Sequence, residues 1–277
     1  MNNNYIITAT NYNPLYYEFL PSVYYMWKKY YPNGKFILGF IDDRKDKNNN
    51  FIEKIKNYCD ELVIINTIKG VESSILGKIT RMWLCSLYDN NICTNVDIDQ
   101  YLLNFDWFKN KIKEAKNDKF VCIGHNMYLN TSATGKWQMS FTTAKSNIWK
   151  KIINPDYLNF EDWINKNKKI PDPIDNAESL TNSFSKFSDE SLLRYFVIKH
   201  PDPSFMSHTL HKENREDGHL LKCTKRIDRG WWHKTNFNLL NNNYYIDSQP
   251  LRPFNNNYIN LQPILKYIGI DDKNLFL

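Results

Sequence analysis

Two aspartates one residue apart, in the stretch Asn91-Ile92-Cys93-Thr94-Asn95-Val96-Asp97-Ile98-Asp99-Gln100, are the side chains of this sequence best spaced for chemistry. The run before them is apolar and β-favouring, and in a strand, side chains two apart point to the same side. Asp97 and Asp99 are therefore expected to face one space beyond a sheet edge. Two carboxylates so close repel each other. A hard divalent cation, Mg²⁺ or Mn²⁺, turns that repulsion into binding, because both ions prefer oxygen ligands and accept phosphate in the remaining positions. The plainer alternative is that the pair caps the turn or helix that follows.

The elements that must position this pair are legible upstream of it. Tyr5 to Thr10 reads as a first strand, broken by Asn11-Tyr12-Asn13-Pro14, and Leu15 to Tyr30 carries apolar residues at helical spacing. Lys35 to Ile41 is a nearly unbroken apolar run, as in a strand buried on both faces, and stops at Asp42 and Asp43. A helix over Phe51 to Tyr58, a strand over Glu61 to Ile65, a helix over Ser73 to Tyr88 and a fourth strand over Asn91 to Val96 complete the alternation. Such an order predicts an α/β fold with a mainly parallel central sheet flanked by helices. Ligands of these sheets bind beyond the carboxyl ends of the strands, so Thr8 to Tyr12, Asp42 with Asp43, and Asp97 with Asp99 should gather on one rim. Lys78 and Arg81, three apart, share a helical face: either a solvated basic face, or a pair that reaches a diphosphate held at the aspartates.

Downstream the pattern is less regular. Phe105 to Ala115 is expected to be helical, Lys119 to Gly124 a strand, Lys136 to Ala144 a strand, and Ser146 the cap of a helix ending at Ile153. Trp137 and Gln138 suit either a sugar ring or the core. The Pro- and Asn-rich stretch from Asn154 to Asn182 should wrap the surface, with one short helix near Phe160 to Asn165. A helix beginning at Ser188 carries Asp189 and Glu190 in its first turn, where acids also serve the helix dipole. Phe205 to His208 reads as a strand, and a last helix as lying near Leu261 to Ile268. Asparagine triplets, including Asn48 to Asn50, Asn241 to Asn243 and Asn255 to Asn257, are expected in loops.

A chain of 277 residues with 42% hydrophobic and 15% aromatic content is globular in composition. Its net charge of +6 is spread along the chain, which argues against a nucleic-acid partner and equally suits a phosphorylated small molecule. Five cysteines lie far apart with no C-x-x-C pair, as expected of buried thiols in a reducing compartment. No stretch approaches the ~20 apolar residues of a transmembrane segment. The expectation is a soluble protein of cytoplasmic type, with peripheral attachment to a membrane left open.

With these pieces in order, residues from about Tyr5 to His233 resemble the nucleotide-sugar-dependent glycosyltransferases of the GT-A fold. The likeness is carried by the first strand at the N-terminus, the alternating half, Asp97-Ile98-Asp99 matching that family's D-x-D, the basic helix before it and the acidic helix start at Asp189-Glu190. It implies a single domain over residues 1–277. Residues 1–104 would bind the nucleotide-sugar, residues 105–233 would form the acceptor and catalytic half, and residues 234–277 a C-terminal tail. It further implies that Asp99 holds Mn²⁺ or Mg²⁺ against the donor diphosphate and that Asp97 contacts the ribose or the metal. Thr8, Ala9, Thr10 and Asn11 would line the nucleotide pocket. Asp189 or Glu190 would deprotonate the acceptor hydroxyl, and His208, or failing that His211, would add a metal ligand. The implied partners are a donor such as a UDP-sugar and a glycan or other hydroxyl acceptor, as in glycan biosynthesis.

Two other classes stand beside this one. A sugar nucleotidyltransferase would also use an α/β sheet and acidic metal ligands, but is expected to show a Gly-rich phosphate loop after the first strand, and Thr10 to Tyr16 has no glycine. A non-catalytic carbohydrate- or protein-binding module is suggested by eight Trp and eighteen Tyr. The cluster of Lys225, Arg226, Arg229 and Trp231 could touch nucleic acid, but no recognised module accompanies it.

Overall fold

A computed structural model describes residues 3–46, 49–123, 137–167, 188–201, 206–207, 225–270, 275 and 277. Its frame is the expected alternation. Strands β1 (Asn4–Asn11), β2 (Lys35–Asp42), β3 (Glu61–Asn66) and β4 (Ile92–Asn95) are joined through helices α1 (Pro14–Tyr17), α2 (Leu20–Tyr30), α3 (Asn50–Lys56) and α4 (Ser73–Leu84). β1, β2, β3 and β4 pair in parallel, with Ile7 opposite both Ile37 and Asn95. Helix α5 (Phe105–Lys111) and the short strand β6 (Phe120–Val121) follow, then β7 (Thr142–Lys145), which runs antiparallel to β4 and to β6. With β8 (Met206–Ser207), seven strands lie in the order β3-β2-β1-β4-β7-β6-β8. The fold is α/β with a mainly parallel central sheet between helices.

Both sheet faces are buried, which explains the apolar runs. Along β2, Phe36, Leu38 and Phe40 enter one core with α2. The intervening Ile37 and Ile41 enter a second core with Ile75, Leu76, Ile79 and Met82 of α4. Each face takes every second residue, so a strand covered on both sides has no polar alternation. Helix α6 (Ser146–Ile153), α7 (Phe160–Asn167) and α8 (Ser188–Lys199) extend the α4 side. Among the described residues, no helix is long and apolar enough to cross a membrane.

Several expected elements are altered. The single helix over Leu15 to Tyr30 is two, because Pro21 lacks an N–H and is tolerated only in the first turn of α2. The strand over Lys136 to Ala144 is confined to β7, since Phe141 adopts φ 65°, a left-handed conformation that interrupts the extended run. Ser146 is the first residue of α6, not its cap. Asn255 to Asn257 are no loop. They lie in the first turns of α9 (Phe254–Tyr267), which places Phe254, Leu261, Ile264 and Leu265 in the α2-side core.

The C-terminal stretch is integral to the fold. β10 (Asp247–Gln249) pairs antiparallel with β5 (Tyr101–Leu102) and parallel with β9 (Arg226–Asp228), making a second, three-stranded sheet. Asp247 ties that sheet to the segment following Asp99: Gln100 Nε2 donates to its Oδ2, and Arg226 Nε lies 3.7 Å from its Oδ1.

Candidate active site

Most of the site residues singled out above meet in one cleft of about 320 Å³ beyond the carboxyl ends of β1 and β4. Ala9, Thr10 and Asn11 come from the end of β1, Ser74, Gly77, Lys78 and Arg81 from α4, Asp97, Ile98 and Asp99 from the loop after β4, and Asp189 and Glu190 from the first turn of α8. Positions 74, 77, 78 and 81 follow the spacing of one helical face, while Ile75, Leu76, Ile79 and Met82 turn into the core. Gly77 faces the end of β1, where a Cβ would make ordinary contact, 3.5 Å from the Thr10 carbonyl carbon.

Not every expected residue is in the wall. Thr8 is fully buried in the sheet and does not line the cleft. Asp42 turns to Arg44, with Oδ1 accepting from Nε at 2.8 Å. Asp43 acts as a brace: its carboxylate accepts from Asn11 Nδ2 at 3.1 Å, from the Tyr12 N–H at 2.9 Å and from Ser73 Oγ, joining the end of β1 to the start of α4. Trp137 packs against the α4-side core and Gln138 is buried, neither among the lining residues. His208 and His211 lie outside the described residues.

Asp97 and Asp99 sit beyond β4, so their common orientation comes from the loop and not from the two-residue period of a strand. The Asp97 N–H donates to Ser140 Oγ at 3.2 Å. One oxygen of each carboxylate is held by arginine. Arg81 Nη1 bonds Asp97 Oδ1, and its Nη2 donates to Asp189 Oδ2 at 2.9 Å. Arg229 Nη2 lies 2.8 Å and Arg252 Nη1 3.4 Å from Asp99 Oδ2. Burial alone would lower the affinity of Arg81 for its proton, but Asp97 and Asp189 outweigh it and keep the guanidinium charged. Burial and the neighbouring Asp97 push the Asp99 carboxyl up to about 6, against the pull of Arg252 and Arg81.

Arg229, Gln249, Arg252 and Tyr16 complete the lining, and sequence reasoning missed their part in it. The second sheet explains their arrival. Parallel strands β9 and β10 end side by side, and Tyr101, two residues after Asp99, pairs with Ser248 of β10. The residues that follow both strands thus come level with Asp99. Arg252 also lies over the ring of Tyr16, 4.9 Å from its centroid. A basic residue within three positions of the end of each of two short β segments was the available signal.

Among the described residues, no three His, Cys, Asp or Glu gather into a ligand set for a metal. Asp97 and Asp99 offer two carboxylates. That donor set suits Mg²⁺ or Mn²⁺ when phosphate oxygens supply further ligands, since these ions commonly take one or two carboxylates plus a substrate phosphate.

No protein-family profile matches the sequence, and no curated protein sequence matches it. Solved structures do. A crystal structure of the galactosyltransferase LgtC in complex with donor and acceptor sugar analogs matches at a TM-score of 0.43 and 10% identity, over 90% of this chain and 87% of that one. An active-site mutant of LgtC matches at a TM-score of 0.42 and 11% identity, over 89% and 86%. At such identity the likeness does not say which side chains act.

Proposed function

We propose that the chain is a metal-dependent glycosyltransferase of GT-A type. It would move a sugar from a nucleotide-diphosphate sugar, a UDP-sugar in the first instance, to a hydroxyl of a glycan or other acceptor. The observation that carries this reading is the convergence of Thr10, Lys78, Arg81, Asp97, Asp99, Asp189 and Glu190, from four separate segments, on one cleft at the carboxyl rim of a parallel sheet.

The residue types match the demands of the reaction. Breaking the bond between the anomeric carbon and phosphate builds negative charge on the departing nucleoside diphosphate. Mn²⁺ or Mg²⁺, held by Asp97 and Asp99, would supply Lewis-acid stabilisation of that charge. Lys78, Arg229 and Arg252 put further positive charge on the same wall. The end of β1, from Ala9 to Asn11, offers a floor for the nucleoside, braced by Asp43. An acceptor hydroxyl is a poor nucleophile at neutral pH and needs a base within hydrogen-bond reach. Asp189 and Glu190 are the two candidates in the cleft wall, and variants of both test the role. A cytoplasmic site of action, free or peripheral at a membrane, belongs to the same reading.

Isothermal titration with UDP and GDP, with and without Mn²⁺, tests it. Affinity that depends on metal, and that Asp99→Ala removes while circular dichroism stays unchanged, is the expected result. An Asp99→Ala protein that still transfers sugar at near wild-type turnover in the presence of Mn²⁺ would overturn the assignment. Hydrolysis of a panel of nucleotide sugars then identifies the donor.

A further inference from the structure

We propose that Arg252, with Arg229 beside it, is an exchangeable counter-charge: it neutralises Asp99 while the cleft lacks nucleotide, and transfers to the donor diphosphate once a divalent cation occupies that carboxylate. The inference rests on the nucleotide-sugar reading above.

The three arginines of the cleft are not equivalent. Arg81 is sealed between Asp97 and Asp189, its side chain only 7% exposed. Arg229 and Arg252 are at the rim, with side chains 23% and 29% exposed, and both approach the same oxygen of Asp99. Two guanidiniums on one carboxylate oxygen exceed what charge neutrality needs. Only the arginine ends reach water, the Asp99 side chain being 9% exposed, so the guanidiniums can change partner while the carboxylate stays in place. Arg252 has a second anchor in the Tyr16 ring, which its guanidinium can keep while its N–H groups change partner.

The cleft is charge-balanced as it stands, lined by four basic and four acidic side chains. With a divalent cation held at Asp99, Arg229 and Arg252 would face two further positive charges and would leave the carboxylate. Diphosphate oxygens are the better acceptor at that point, because guanidinium and phosphate form charge-assisted, often bidentate hydrogen bonds. Metal and nucleotide should thus bind cooperatively, with part of the coupling passing through these two side chains.

The test is a thermodynamic cycle. The affinity of whichever of UDP and GDP titrates is measured with and without Mn²⁺, in the wild type and in Arg252→Gln. With Mn²⁺, the variant should bind the nucleotide about tenfold or more weakly, the loss expected of a charged hydrogen bond. Without Mn²⁺, affinity should stay within about threefold, because the side chain is then engaged with Asp99. Arg252→Lys should restore part of the coupling, and Arg229→Gln should repeat the pattern, which covers the case in which Arg252→Gln fails to fold. Equal losses with and without metal would make Arg252 a fixed phosphate ligand, and no loss in either would make it structural. Either result overturns the proposal. A wild type with no metal-dependent nucleotide affinity would instead sink the glycosyltransferase reading beneath it.

Discussion

Nη2 of Arg81 lies 2.9 Å from Oδ2 of Asp189, a hydrogen bond between residues 108 apart in the chain, with both side chains buried. The same guanidinium holds Asp97, so one side chain ties α4, the loop after β4 and the start of α8 together. Removing Arg81 strands the carboxylate of Asp189, whose side chain is 7% exposed, while Asp97 at 21% keeps some contact with water. Arg81→Ala should therefore cost about 3–5 kcal/mol of stability in urea unfolding. Arg81→Lys should recover only part of this, since an ammonium lacks the fork that serves two carboxylates at once.

Glu190 and Asp189 are neighbours with opposite expected consequences. Glu190→Gln should lower turnover by about 10²–10⁴-fold, the usual contribution of a general base, beyond what any shift of the urea midpoint accounts for. Asp189→Asn should shift the midpoint, because it leaves Arg81 with a single carboxylate. Steady-state kinetics and urea unfolding on both variants decide it. Wild-type turnover in Glu190→Gln would place the base elsewhere.

Two glycines at the contact between α4 and the sheet should respond differently to the same added methyl group. A Cβ on Gly39 of β2 would meet Thr80 Cγ2 at 2.7 Å and Leu84 Cδ1 at 2.9 Å, wedging α4 away from the sheet. Gly39→Ala should cost about 1–3 kcal/mol. On Gly77 the nearest atom would be 3.5 Å away, ordinary contact. Gly77→Ala should leave stability equal or raised by up to about 1 kcal/mol, through better helix propensity. Thermal or urea unfolding of both variants is the measurement.

Stability should decline at alkaline pH in a stated window. Burial, with Asp60 and then Glu61 nearby, pushes the Cys59 thiol up from 9.0 to about 12, and burial pushes the Tyr31 hydroxyl up from 10.0 to about 12. The native form therefore holds protons that the unfolded chain releases earlier. Their contribution is whole below about pH 9 and is lost as pH rises toward about 12. Urea midpoints across that range should fall, and Tyr31→Phe should lessen the fall. A flat profile would mean that these groups titrate in the native state as they do in water.

Much of the frame was legible in the linear order. The apolar runs at Tyr5, Lys35 and Asn91 became β1, β2 and β4, because strands buried on both faces are largely apolar, and the run at Glu61 became the edge strand β3, where Ile64 is 50% exposed. Lys78 and Arg81 share the cleft face of α4 because helical periodicity is a local property. The C-terminal contribution was not legible. Residues 234–277 were expected to be a tail, yet they supply Gln249 and Arg252 to the cleft and Phe254 to a core. Strands as short as β5, β9 and β10 carry almost no periodic signal, and what places them is pairing in three dimensions, for β5 with β10 across more than a hundred residues.

From the order of its residues alone, this chain is an α/β protein with acids and bases at the ends of its strands and on one face of α4, since backbone geometry at short range dictates which side chains share a face. Which charges meet was decided only when the chain closed. Arg81 lies between Asp97 and Asp189, and Arg229 and Arg252 against Asp99, because burial takes water away from Arg81, Asp189 and Asp99 and leaves the opposite charge delivered by a distant segment as the partner.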